Sequence, residues 1–454
     1  MRPIACAVLF GLLAPGGASA AEPPKPNRLQ QEIDRRAAQV LPKVVAWRRD
    51  LHQHPELGNR EVRTAEVIAR QLQALGLEVE TGVAHTGVVG LLRGGRPGPV
   101  VALRADMDAL PVTEGTDLPF KSLARATYGG EEVGVMHACG HDLHMAILMG
   151  VAEVLAGMRA ELPGSVKLIF QPAEEGPPAG EEGGAVLMIK EGVLENPKVD
   201  AIFGLHVFAS YELGTVAYRP GGIMAAADAL EITVHGRQTH GARPWSGVDP
   251  IVVSSQIVLG LQTIVSRQTA ITKAPAIVTI GRIRGGNRGN IIPDTVTLVG
   301  TIRTFDAAMQ KDIHERVERT AVGIAQSAGA TAEVRIEAQT PVTFNDPALT
   351  ARMEPTLRRV AGDSLQPNAE VTTTAEDFAF YQQKVPGIYF FVGVTPPGTD
   401  LSTVAFNHSP RFLADEGALL VGLRALGNLA VDYLQQDRGA GSHVTSGTEP
   451  RRRP

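Results

Sequence analysis

The sequence predicts an α/β fold with a mostly parallel, buried sheet, interrupted by an inserted unit of ferredoxin-like α+β order. Three observations lead there. Short continuous apolar runs alternate with stretches of helical periodicity, the pattern of strands buried on both faces. Near residue 225 the pattern changes to half-exposed alternation, followed by strand, helix, strand, strand, helix and strand. After about residue 338 the chain returns to the first pattern, with a further apolar run at 388–394.

The elements follow in order. Met1-Arg2, the apolar stretch 4–13 and the small residues Ala18-Ser19-Ala20 predict a secretory signal peptide over 1–20, with a buried N-terminal helix as the alternative. Export to the periplasm or the medium is the expected location. Cys6 falls inside that leader, which leaves Cys139 without a disulfide partner in the mature chain. It can be a buried bystander, a free thiol or a metal ligand. The first part of the larger unit is expected over 28–224. Residues 29–51 and 64–75 have helical spacing, and Gly76 stops the second. Runs at 88–92 and 100–103 flank the turn cluster Gly94-Gly95-Arg96-Pro97-Gly98. A helix is expected over 141–158, and strands over 166–170 and 201–205.

The insert is expected over 225–338, with strands at 229–234, 277–283, 295–302 and 332–336 and helices at 250–267 and 307–328. The larger unit resumes over 339–435. The tail 436–454 has the composition of a disordered segment. With 43 basic against 48 acidic residues there is no basic surplus to track a phosphate backbone, so no nucleic-acid partner is expected. No stretch is long and apolar enough for a stable membrane anchor.

Polar residues gather where the apolar runs end, at the edge where open α/β sheets bind their ligands. Arg104, Asp106 and Asp108 follow one run; Gln171, Glu174 and Glu175 follow another; His206 follows a third, and a loop after 394 reaches His408. Between them lies His137-Ala138-Cys139-Gly140-His141-Asp142. Thiolate, imidazole and carboxylate together are the ligand set of a transition-metal hydrolase. One of Glu174 and Glu175 can bind a metal while its neighbour faces water as a general base, with Asp108 behind them. A merely polar sheet edge explains the same spacing.

The motifs narrow the choice. Arg49-Asp50-Leu51-His52-Gln53-His54-Pro55-Glu56-Leu57, Arg104-Ala105-Asp106-Met107-Asp108-Ala109-Leu110-Pro111, the Cys139 segment, Phe170-Gln171-Pro172-Ala173-Glu174-Glu175-Gly176 and Gly204-Leu205-His206-Val207 occur in this order. They are followed by Gly236-Arg237-Gln238-Thr239-His240-Gly241, Gly289-Asn290-Ile291-Ile292-Pro293, Glu376-Asp377-Phe378-Ala379 and Asn407-His408-Ser409-Pro410. Together they resemble the M20 metallopeptidase family, in its amidohydrolase branch of hippurate hydrolases, N-acyl-amino-acid deacylases and auxin-conjugate hydrolases.

The resemblance implies a metallohydrolase domain carrying an inserted dimerisation and lid domain, and a homodimer. It implies two divalent cations, of zinc, manganese, cobalt or nickel, held by Cys139, His141, Glu175, His206 and His408. Glu174 would be the general base, Asp108 its support, and His240 an oxyanion-stabilising group. Asn290 and Arg303 would face the substrate. The implied reaction is hydrolysis of the amide of N-acyl or N-aroyl amino acids, hippurate among them. A dipeptidase or aminopeptidase is the nearest alternative, and a non-catalytic exported binding protein is another. His240 also suits a turn near Pro244, and Arg303 a surface ion pair. His52, His54 and Glu56 are read as helix-end packing. Asn407-His408-Ser409 matches a glycosylation acceptor, but a glycan there would crowd His408.

Overall fold

The computed structural model describes residues 26–436. The expected leader and all but the first residue of the expected tail lie outside them. Gln436 itself ends the helix Ala418–Gln436.

An eight-stranded sheet runs from edge to edge as Glu78–Val83, Gly87–Arg93, Pro163–Gln171, Arg96–Asp106, Ala201–Glu212, Gly387–Thr395, Val216–Ala217 and Leu365–Gln366. The four strands from Pro163–Gln171 to Gly387–Thr395 are mutually parallel. Antiparallel pairing appears only toward the two edges. The expected apolar runs at 100–103, 166–170, 201–205 and 388–394 lie in these parallel strands, whereas the run at 88–92 lies in Gly87–Arg93, antiparallel to both neighbours; Gly387–Thr395 is buried along its whole length. One face packs on helices Arg28–Gln53, His141–Ala156 and Ala418–Gln436. The other is covered by Gly184–Lys190 and Phe378–Gln382. Helix His141–Ala156 is buried nearly all round, because it lies between the sheet and the two long helices.

A separate four-stranded antiparallel sheet is ordered Ala276–Gly285, Thr295–Thr304, Ala226–His235, Thr331–Thr340. Helices Pro250–Thr263 and Ala307–Ser327 contribute Ile257, Leu261, Ile313 and Val317 to a core of its own with Leu230, Ile232 and Leu298. Strand, helix, strand, strand, helix, strand is the chain order. The first of these helices ends earlier than its periodicity predicts. Residues Ile264–Gln268 widen into a π turn, where the Thr269 hydroxyl donates to the Ile264 carbonyl at 3.0 Å.

Several elements escaped the periodicity. Glu78–Val83 is an exposed, charged edge strand without a continuous apolar run. Pro347–Ala361 and Ala418–Gln436 are helices of the returning segment, joined through Thr356 and Arg359 to the Asp432 carboxylate. Gly76 does end its helix, at φ +71, where its amide reaches the Gln73 carbonyl. No helix among the described residues is long and apolar enough to cross a membrane.

Candidate metal centre and active site

The site is assembled at the carboxyl edge of the parallel strands. Gly140 turns the chain at φ +93 between Cys139 and the helix that His141 begins. A side chain at Gly140 would meet Val207 Cγ2 at 2.4 Å, so a glycine is needed. His141 Nδ1 donates to the Asp108 carbonyl at 2.8 Å. Its Nε2 is therefore the ring atom left for a proton or a metal, and it is buried with no hydrogen-bond partner. His206 repeats the arrangement: Nδ1 donates to the Val207 carbonyl at 2.7 Å, and Nε2 lies 3.3 Å from Cys139 Sγ. His206 does not follow its strand, as the apolar run predicts, but lies inside Ala201–Glu212. Pairing with Arg96–Asp106 stops at Arg104 and Gly204, while on the other side His206 is still paired with Phe391.

His408 comes from the opposite loop, at φ +72, with its amide on the Ala138 carbonyl at 2.8 Å. Its Nε2 is 3.2 Å from Cys139 Sγ and 2.9 Å from Glu175 Oε1. Three successive amides set the glutamate pair. Ala173, at φ +50, donates to Glu61 Oε1 at 2.9 Å. Glu174 and Glu175 donate to the two oxygens of Asp108, each at 3.0 Å. The side chains then diverge, Glu175 toward His408 and Glu174 toward His141, with Oε2 3.9 Å from His141 Nε2. Glu174 Oε1 accepts the Asp377 amide at 3.4 Å.

The electrostatics of the cluster ask for cations. Burial opposes charge on His141, yet Asp106, Asp108 and Glu175 overcome it and raise its pKa to about 10. Burial and the carboxylates Glu175, Glu174 and Asp106 push the Cys139 thiol well above its ordinary value. Burial, then Glu376, Glu175 and Asp377, push Glu174 well above the usual carboxylate range, against the pull of Arg104. Lone pairs on two imidazoles fixed by backbone carbonyls, one thiol and converging carboxylates fit divalent cations. His144 sits beside them but has no lone pair left. It donates from Nδ1 to Asp106 at 2.6 Å and accepts the Val207 amide on Nε2 at 2.9 Å.

A cavity of about 540 Å³ opens over this cluster, lined by Cys139, Glu174, Glu175, His206 and His408. Arg303 reaches it from the four-stranded sheet, and Phe208, Phe406 and Met224 form an apolar wall. Among the described residues Arg303, half-buried, makes no hydrogen bond or ion pair. It is therefore not the surface ion pair that a lone strand arginine suggests. His240 and Asn290 lie elsewhere, exposed on the two-stranded pair Thr239–His240 and Ile291–Ile292 and the loop before it. The His240 ring accepts the Ala242 amide, a local turn contact.

Residues without an assigned role in the sequence also matter. Arg104 is wholly buried and binds Gln171, Asp106, Glu376 and Asp377. A charged residue inside an apolar run was the available signal. Glu61 had none. Asn407 is buried with its amide occupied, which removes the glycosylation reading.

His52 is more than helix-end packing. It is buried between Asp142 at 2.8 Å and Glu114 at 3.2 Å. Burial pulls the imidazole down, but these carboxylates raise its pKa to about 9 from 6.5. A raised folded pKa stabilises fully below about pH 6.5, and the contribution is lost as pH rises through about 9. Wild type should exceed His52→Gln in stability by on the order of 3 kcal/mol at pH 6. Denaturant melts should show that gap shrinking toward pH 9; a gap independent of pH would remove the charged His52.

The fold, the ligand geometry and the lined cavity define a metal-binding hydrolase of the α/β type. The model of peptidase family M20/M25/M40 matches residues 102–432, and the chain belongs to that family. Thermostable carboxypeptidase 1 of Saccharolobus solfataricus is 41% identical over 392 residues, covering 86% of this chain and 95% of the relative. N-acetylcysteine deacetylase of Bacillus subtilis is 38% identical, covering 87% and 97%. A crystal structure of the Bacillus subtilis YXEP protein, described as a dinuclear metal binding peptidase of the M20 family, superposes with a TM-score of 0.73. It is 36% identical and covers 88% of this chain and 99% of that one. The chain is thus an amide-hydrolysing member of its family.

Proposed function

We propose that this chain hydrolyses the amide bond of N-acyl or N-aroyl amino acids, hippurate-like compounds included. The observation that carries the reading is the unpaired Arg303 facing the same cavity as the free ligand atoms. Asp228 attracts the guanidinium from beyond ion-pair distance and is itself bound by Gln310 and His314, so the guanidinium's donors are left for a substrate carboxylate, which N-acyl amino acids possess. Cys139, His141, Glu175, His206 and His408 would hold two divalent cations, of zinc, manganese, cobalt or nickel. Bound there, the cations supply Lewis acidity that brings the pKa of water toward neutrality. Glu174 takes the proton of the attacking water on its carboxylate and returns it to the leaving nitrogen. Asp108 holds the backbone that aims Glu174 and Glu175 apart. Phe208, Phe406 and Met224 exclude water beside the acyl group.

A dipeptidase needs a free carboxylate for the substrate amine. Glu376 and Asp377 line the cavity but are bound by Arg104, which disfavours that reading. A carboxypeptidase, the printed activity of one relative, would use Arg303 in the same way on a peptide C-terminus. A homodimer that brings His240 and Asn290 to a neighbour's cavity, and export behind a cleaved leader, complete the proposal.

The test is hydrolysis of hippurate, N-acetyl amino acids and short peptides before and after chelation. Metal-dependent release of an amino acid from acyl substrates is expected. Preference for peptides would move the reading to a carboxypeptidase; stoichiometric metal without turnover on any of them would favour a binding protein. Arg303→Ala should lower kcat/KM by about 10–100-fold through KM, from the loss of a charged hydrogen-bonded pair. The loss should vanish for substrates whose carboxylate is an amide; an equal loss on both would remove the carboxylate anchor.

A further inference from the structure

Asn407 precedes His408 and is the point where three ligand-bearing segments meet. Its Nδ2 donates to the Cys139 carbonyl at 3.0 Å and to the Val207 carbonyl at 3.0 Å. Its Oδ1 accepts the Ala209 amide at 3.2 Å. Both amide protons and one acceptor site are thus used on the main chain of two other segments, and the side chain is buried. The Val207 carbonyl is shared: it also accepts His206 Nδ1–H at 2.7 Å, the bond that leaves His206 Nε2 toward Cys139. The Cys139 carbonyl belongs to the thiol residue itself. On the other side the His408 amide donates to Ala138, so the Asn407-His408 peptide is tied to the Cys139 segment twice.

We infer that Asn407 is a positioning residue for the metal centre, fixing Cys139, His206 and His408 relative to one another through their backbones. Its side-chain hydrogen bonds all go to main-chain atoms and none to a ligand atom. The argument is geometric. Cys139 Sγ lies within 3.3 Å of both His206 Nε2 and His408 Nε2, although the three residues come from a helix-leading turn, a strand and a distant loop. Such spacing requires a common fixed point, and Asn407 is bonded to all three segments. An aspartate at this position would lose both donors, and a glutamine would displace the three backbones by one methylene. The inference rests on the metal-centre reading above.

Two substitutions separate positioning from general loosening. Asn407→Ala removes the clip. Thr356→Val removes a buried hydrogen bond to the Asp432 carboxylate at 2.6 Å, between two helices and away from the ligand-bearing segments. Dissociation constants for zinc are measured by competition with a chromophoric chelator on the full chain, and cobalt spectra report the thiolate band. Asn407→Ala should weaken zinc by about 10–100-fold, as removal of outer-shell support does, and should shift the thiolate band. Thr356→Val should leave both within about twofold of wild type, since it supports no ligand. If Asn407→Ala does not fold, Asn407→Ser, which keeps one donor, should show a smaller loss in the same direction. Unchanged zinc affinity and spectrum in the Asn407 variants would overturn the inference. So would an equal loss in Thr356→Val. Failure of wild type to bind zinc or cobalt would instead overturn the metal-centre reading, and so is told apart from either result.

Discussion

Glu174→Gln should lower kcat by about 10²–10⁴-fold, the usual contribution of a positioned general base, while bound metal stays at the wild-type level. The amide is nearly isosteric, and its oxygen can still accept the Asp377 amide that now reaches Glu174 Oε1. The backbone amide of residue 174 would keep its bond to Asp108. What disappears is the capacity to take a proton beside His141 Nε2. Glu175, by contrast, faces His408, so Glu175→Gln should reduce metal content as well as turnover. Measuring kcat and metal stoichiometry on both variants separates base from ligand. Full turnover in Glu174→Gln would assign the proton transfer elsewhere.

Arg104→Met should destabilise the protein by about 3–5 kcal/mol, the range for breaking a buried ion network from one side. Arg104 and Asp106 are both fully buried, at 2.6 Å, and the same guanidinium reaches Asp377 at 2.7 Å and Glu376 at 3.0 Å. Burial opposes its charge, but Glu376, Asp106 and Asp377 raise its proton affinity well beyond the ordinary value. Removing it leaves three carboxylates together without a cation. Arg104→Lys should recover little, because one ammonium cannot reproduce the fork that meets Gln171 and the acids at once. Urea melts of the metal-free chain give the comparison, and a loss under about 1 kcal/mol would mean the acids relax or protonate at small cost.

The same arginine shows what a sequence can and cannot convey. Strand positions were legible because burial on both faces leaves an unbroken apolar run, as in Gly387–Thr395. The two-sheet order was legible because the half-exposed strand Ala226–His235 alternates where the buried ones do not. Candidate ligands were legible as polar residues at run ends and as motif strings. Arg104 stood in view beside Asp106, but Gln171, Glu376 and Asp377 come from far along the chain, and the motif string that holds Glu376 does not announce which residue it meets. Glu61 is less legible still, since its task is to hold the amide of Ala173, a backbone atom that every residue has. The placement of His240 and Asn290 away from the cavity belongs to the arrangement of two sheets, which periodicity does not encode.

That arrangement has a mechanical side. The chain enters the four-stranded sheet at Ala226 and leaves it at Thr340, and Ala227 pairs with both Arg303 and Thr340. Both crossings therefore lie at one corner, which acts as a fulcrum. Arg303 stands at that corner, and a rocking of the unit about it would leave Arg303 nearly still. His240 and Asn290 stand beyond the far end of the ten-residue strand Ala226–His235. At about 3.3 Å per residue they ride a lever arm of about 30 Å, so a rocking of about 10° sweeps them through about 5 Å. With Arg303 as the proposed carboxylate anchor, such a motion would leave a substrate gripped while the groups at the end of the lever come and go.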